Sequence, residues 1–228
     1  MKIKQLLFIS FFFSIAMLLK YYMVYINPSL FKSSGILLQS ILCGIGPFLG
    51  GLILIKGWKR PNDLSFFKSI LKQEIVTLLI PIVLFALTGL FNGTLNINAS
   101  KIVLIAIFYA FLEEYGWRGY LQSELKGINT YLKYFIISIL WFIWHLEFDY
   151  SIMGYLILLA GSFGMGYVAD KSKSLIYVAL FHAFINILAT NDLQHIPFTQ
   201  KLIIILISAI TIIVLMIKKG KSIKMLAK

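Results

Sequence analysis

Acidic residues are scarce in this chain. Nine Asp and Glu stand among 228 residues, and charged residues of either sign make up 13%. An average soluble domain carries roughly a quarter, so an ordinary water-facing surface is excluded. Cysteine is scarcer still: Cys43, the single thiol, cannot close an internal disulfide and lies in an apolar run, which leaves a small packed residue as its reading. There is no internal repeat, no low-complexity tract and no polar stretch long enough for a separate soluble domain, so one domain over residues 1–228 is expected. The net charge of +12 would suit nucleic acid if the cations shared a face or groove. They stand instead at the ends of apolar runs, and no nucleic-acid partner is expected.

What is present is apolar. Hydrophobic residues reach 60% and the mean hydropathy is +0.89, the composition of an all-α integral membrane protein. Apolar periods at about 5–26, 35–56, 75–92, 101–122, 131–149, 151–169, 174–190 and 200–217 predict a polytopic bundle of about eight transmembrane helices. Met1 to Lys4 and the run after it resemble a signal peptide, but the run continues to Ile26 without an A-x-A-like cleavage site, so it reads as a retained span. Alternating the eight spans puts sixteen Lys and Arg on the N-terminal side and four on the other, Arg118 being the last of the 21. That bias predicts a multi-pass protein of the cell membrane with both termini cytoplasmic. Pro61 to Lys72, mixing Leu64, Phe66, Phe67, Ile70 and Leu71 with Lys68 and Lys72, is expected to be a short helix on the inner leaflet. The glycines at 44, 46, 50 and 51 and at 161, 164 and 166 read as close helix packing rather than a phosphate loop, and Pro81 as a kink.

An ionised side chain at mid-bilayer costs roughly 2.5–3.5 kcal/mol even on a lenient scale, so those that remain are functional candidates. They are Glu113, Glu114, Arg118, His145 and His182, joined by the amide of Asn186. At the helical rise, Glu113 lies ~18 Å below Lys101, His145 ~18 Å in from Lys133, and His182 ~13.5 Å in from Lys173, which brings three helices to a common depth. Glu114 and Arg118 are i,i+4 in the favourable acid-first order, while Glu113 points about 100° away. Arg118 is therefore expected to hold Glu114 ionised, leaving Glu113 for general-base work. His182 and Asn186, again i,i+4, can turn two donors toward one space, as an oxyanion requires, and His145 could share a water with Glu113. The competing structural reading is a hydrogen-bonded cluster that only joins the helices.

Other chemistries fit less well. Two histidines and a glutamate could hold zinc, but no H-E-x-x-H is present, and no metal ligand set and no cofactor are assigned. Ser138 and Ser162 occupy span positions where bonding back to the helix is commoner than catalysis. Glu147, Asp149, Asp170, Asp192 and His195 fall at span ends or in loops, where solvated charge is expected. A proton-coupled transporter would need an inverted repeat or paired broken helices, neither of which is visible.

Taken together, these residues resemble the CAAX prenyl protease and bacteriocin-processing family of intramembrane proteases, whose bacterial members are also called Abi proteins. Its Glu-Glu-x-x-x-Arg motif is matched by Glu113, Glu114 and Arg118, followed by Gly119 to Gln122. Its Phe-x-x-x-His motif is approximated by Trp141 and His145, and its His-x-x-x-Asn motif is matched by His182 and Asn186. The family-like core covers about residues 101–190. The resemblance implies an eight-helix-type core and hydrolysis of peptide bonds in membrane-associated peptides or lipopeptides without a covalent intermediate. Glu113 and His145 would activate water, His182 and Asn186 would stabilise the oxyanion, and Glu114 and Arg118 would support the site or engage substrate. Trp141 in place of Phe departs from the pattern and bears on pocket shape. The rival expectation is a non-catalytic membrane protein conferring bacteriocin immunity or scaffolding a partner; the sequence leaves the oligomeric state open.

Overall fold

The computed structural model describes residues 3–26, 36–65, 71–90, 93–146 and 151–226, and among these it is a bundle of eight long helices with no strand beyond isolated bridges. Helix α1 spans Ile3–Tyr21 and winds on as a π-helix over Tyr22–Ile26. Helix α2 spans Ile36–Leu52, continuing over Ile53–Gly57, and α3 spans Leu71–Leu87. Helix α4, Ile97–Glu114, passes through a π-helical segment, Tyr115–Leu121, into a last turn, Gln122–Glu124. The rest are α5 (Thr130–His145), α6 (Ile152–Ser172), α7 (Leu175–Ala189) and α8 (Phe198–Leu226). Every expected span thus has its helix. Three, Ile3–Ile26, Ile152–Ser172 and Phe198–Leu215, are long and apolar enough to cross a membrane; Ile41–Gly57, Glu74–Leu87 and Leu175–Ala189 are apolar but shorter.

Burial is inverted relative to a soluble protein. Leu18, Val83, Leu156 and Ile210 are half or more exposed, while Glu113, Glu114 and Arg118 are not exposed at all. Water would penalise the first group and hydrocarbon the second, so this bundle fits a bilayer. Starts are fixed by side chains that accept free backbone N–H groups: Asn96 from Ala99, Asn129 from Tyr131 and Leu132, and Ser151 from Gly154.

Helix α4 is the axis. One apolar cluster joins it to α3, α7 and α8 through Phe85, Val103, Leu180 and Ile204; a second joins its π-helical segment to α1, α2, α5 and α6 through Phe12, Leu54, Trp117, Trp144 and Met165. The glycines of α2 let the helices close. A Cβ on Gly46 would stand 2.8 Å from the Ala16 carbonyl oxygen of α1, and one on Gly51 would stand 3.0 Å from Cα of Gly116 in α4. Gly116 is tighter still, its Cβ position lying 2.2 Å from the carbonyl oxygen of Pro47. Close packing, as expected, is what both glycine groups serve: Gly161 and Gly164 face α7 at Ile185 and Phe181, and Gly166 faces Tyr134 of α5.

The inner-leaflet helix is corrected in part. Residues 61–65 are not helical; Ser65 accepts from the Leu175 N–H and donates its own N–H to Lys173 O, binding this strand-like stretch to the α6–α7 turn. Leu71 and Lys72 already belong to α3, and the remainder of that expectation, residues 66–70, lies outside the described residues. Pro81 is accommodated within α3, and Pro47 within α2.

Candidate active site

Glu113 and Glu114 close the α-helical part of α4, where the chain passes into the π-helical segment that carries Arg118. Short π-helical insertions recur at functional sites because they re-aim side chains without breaking the helix. Arg118 Nη1 donates to Glu114 at 2.9 Å, the pairing that the i,i+4 spacing predicts. Its Nη2 donates to both the carbonyl oxygen and the hydroxyl of Ser162 at 3.1 and 2.7 Å. Ser162, expected to bond back to its own helix, therefore ties α6 to α4. His182 completes the group, its Nδ1 lying 2.7 Å from Glu114 Oε1. A buried pair in this setting survives only when its remaining hydrogen-bonding positions are also filled, and Ser162 and His182 fill most of them.

Glu113 has a separate environment. Trp141 Nε1 donates to its Oε2 at 3.0 Å, while Oε1 accepts no hydrogen bond from the described residues. The Trp141 backbone carbonyl in turn accepts from His145 Nδ1 at 2.8 Å. The indole is thus the centrepiece, with its ring 4.3 Å from His145, 5.4 Å from His182 and 5.5 Å from the Arg118 guanidinium carbon. Phenylalanine has no ring N–H, so this departure from the family motif alters the chemistry around Glu113 as well as the shape of the pocket.

The partners decide which ring nitrogens carry protons. A carbonyl oxygen only accepts, so His145 Nδ1 holds a proton and a neutral ring presents Nε2 as an acceptor. His182 Nδ1 faces a carboxylate and holds a proton likewise. Its Nε2 donates only when the ring carries both protons, a charge that Glu114 would balance.

Asn186 is half-buried one turn beyond His182 and lines a cavity of about 120 Å³ together with Tyr109, Ile105 and Thr190. Tyr109, one turn before Glu113, approaches that carboxylate and lies 6.0 Å from the His182 ring, so it stands between the two regions. Sequence reasoning passed over it, although its i,i+4 spacing to Glu113 was available. Lys20 was also missed: placed at an outer span end by counting, it is fully buried, its ammonium donating to the Trp144 carbonyl and lying over the Trp144 indole beside His145. Asp170 is corrected from a solvated charge to the acceptor for Lys133 Nζ and Tyr134 Oη, each at 2.7 Å, and for Lys173 Nζ at 3.3 Å. Asp192 accepts from Thr190, and His195 meets Asn96; Glu147 and Asp149 lie outside the described residues.

Among the described residues, no three His, Cys, Asp or Glu side chains group so as to hold a metal ion. A polar cavity of about 300 Å³ reaches Arg118 from the end of the bundle where α4 and α6 finish, flanked by Lys126, Lys133 and Lys173. A larger one of about 600 Å³ adjoins it along Ser123 and Lys126.

Residues 94–188 match the family model of the Rce1-like type II CAAX prenyl endopeptidases. The chain is also 26% identical over 165 residues to Lysostaphin resistance protein A of Staphylococcus haemolyticus (strain JCSC1435), an alignment covering 61% of this chain and 45% of that protein. The chain therefore spans under half the length of this curated relative.

Proposed function

We propose, from the match of residues 94–188 to the Rce1-like type II CAAX prenyl endopeptidases, that this membrane protein is an intramembrane endopeptidase acting on membrane-associated peptides or lipopeptides. The observation that carries the proposal is the unequal treatment of the paired carboxylates. Glu114 forms ion pairs with Arg118 and His182, whereas Glu113 has no ion-pair partner among the described residues: its Oε2 accepts from Trp141 and its Oε1 accepts no hydrogen bond from them.

Glu113 Oε1 accepts a proton from water as the water oxygen attacks the carbonyl carbon, and the acceptor Nε2 of His145 helps to orient that water. The oxyanion is stabilised by donors from His182 and Asn186. Collapse breaks the C–N bond, and Glu113 returns its proton to the departing amine. Arg118 and Glu114 hold His182 in place, and Trp141 fixes the Glu113 rotamer. Eight membrane passages with both termini cytoplasmic would put the Arg118 cavity on the cytoplasmic side.

Cleavage of candidate peptides by membranes bearing Glu113→Gln, His145→Ala or His182→Ala tests this. Each is expected to lose at least about 100-fold in rate at unchanged protein level, the scale of a lost acid–base group. Wild-type rates in all three would overturn the protease reading, as would activity removed by chelator and restored by zinc. The name of the staphylococcal relative favours a second reading, a role in resistance to lysostaphin. Resistance that persists in all three variants would make that role independent of cleavage.

A further inference from the structure

The cavity that ends on Arg118 has more positive than negative charge. Arg118, Lys126, Lys133 and Lys173 line it, against Asp63 and Asp170. Lys133 and Lys173 both spend themselves on the single carboxylate of Asp170. Lys126, its side chain 72% exposed, pairs with Asp63 at the rim. At the floor, Arg118 is fully buried with both terminal nitrogens engaged, yet its Nε–H has no acceptor among the described residues. A buried guanidinium donor without a partner is costly, and in a cavity of surplus cations it is the group an anion would satisfy. The adjoining cavity extends the same sign through Lys4 and Arg60, the latter already paired with Glu124.

We propose that this cavity is a binding subsite for a carboxylate of the peptide substrate, either its free C-terminus or an acidic side chain. The inference rests on the protease reading and deepens it: Arg118 joins the subsite to Glu114 and His182, so a carboxylate seated here fixes which peptide bond reaches Glu113. With Arg118 balanced by Glu114, the three lysines against Asp63 and Asp170 leave an excess of one, which matches a single carboxylate better than a densely charged polyanion. Lys126–Asp63 acts as an exposed competitor, since a bound carboxylate takes Lys126 from Asp63.

Binding is measured with purified full-length Glu113→Gln protein in neutral detergent, so that no probe is consumed. The probe is a fluorescein-labelled apolar peptide, made as the free acid, as the C-terminal amide, and as amides carrying an internal Glu or Gln. A preference of at least about tenfold for a carboxylate form over its neutral twin is expected, and which pair shows it identifies the source of the carboxylate. Lys126→Gln is expected to reduce the preference by about threefold and Asp63→Asn to increase it by a similar factor, the scale of a rim charge. Gain in one variant and loss in the other is a pattern that misfolding does not produce. Equal affinity for charged and neutral probes, or a preference unchanged in both variants, overturns the subsite. Wild-type cleavage measured in parallel separates the two readings: cleavage without carboxylate preference removes only the subsite, and preference without cleavage removes only the protease.

Discussion

Arg118 illustrates how much a single residue is committed here. Its two terminal nitrogens serve Glu114 on its own helix and Ser162 on α6, and planar, forked donation of this kind is not available to an ammonium. Arg118→Met would leave Glu114 buried with only His182 beside it, and is expected to cost about 3–5 kcal/mol, read as a large drop in thermal stability of the detergent-solubilised protein. Arg118→Lys should recover little of that. The same reasoning applies to Trp141, whose indole N–H is the donor to Glu113 Oε2. Trp141→Phe restores the family's aromatic but strips the carboxylate of that hydrogen bond; a loss of about 1–3 kcal/mol in the same assay is expected. The pairing of Glu114 with Arg118 was legible from spacing alone, because both lie on one helix. The indole bond to Glu113 was not, because it joins residues 28 positions apart on different helices.

At the scale of elements, the crossing of α2 and α4 holds the site in position. Pro47, Gly51 and Gly116 meet there with backbone against backbone, just beyond Glu114. Gly116→Ala would force a methyl to 2.2 Å from the Pro47 carbonyl oxygen, where no side chain can turn aside. A loss of 1–3 kcal/mol or more, about the scale of overpacking, is expected, with activity falling as Glu113 and Glu114 shift together. Gly161→Ala is the control: its methyl meets only the terminal carbon of Ile185, which can rotate, and the gain in helix propensity of about 0.5–1 kcal/mol offsets the contact. Comparing the two by thermal unfolding checks whether backbone contact, rather than glycine content, holds the bundle. The π-helical segment Tyr115–Leu121 had no announcement in the sequence. Within it, Gly116 meets Pro47 of α2 on one side and Arg118 reaches Ser162 of α6 on the other.

For the whole molecule, the proposed passage of eight spans can be read by labelling. Cys43 is buried, so replacing it with Ser gives a quiet background in which single cysteines report sidedness. Thr94→Cys, before α4, is expected to react with a membrane-impermeant maleimide on intact cells, and Lys126→Cys, after α4, only once the membrane is opened. The reverse pattern would invert the topology. The sequence by itself determined the helices and the ranking of the residues within them, because hydrocarbon makes apolar runs compulsory and every retained charge conspicuous. It therefore picked out Glu113, Glu114, Arg118, His145 and His182. Only the tertiary structure decided what each of these touches: that Trp141 stands between Glu113 and the histidines, that Lys20 comes in from α1 to the end of α5, and that Arg118 forms the floor of a basic cavity. Such contacts depend on how helices rotate and slide against one another, which glycine contacts between backbones set and which no periodicity within one helix records.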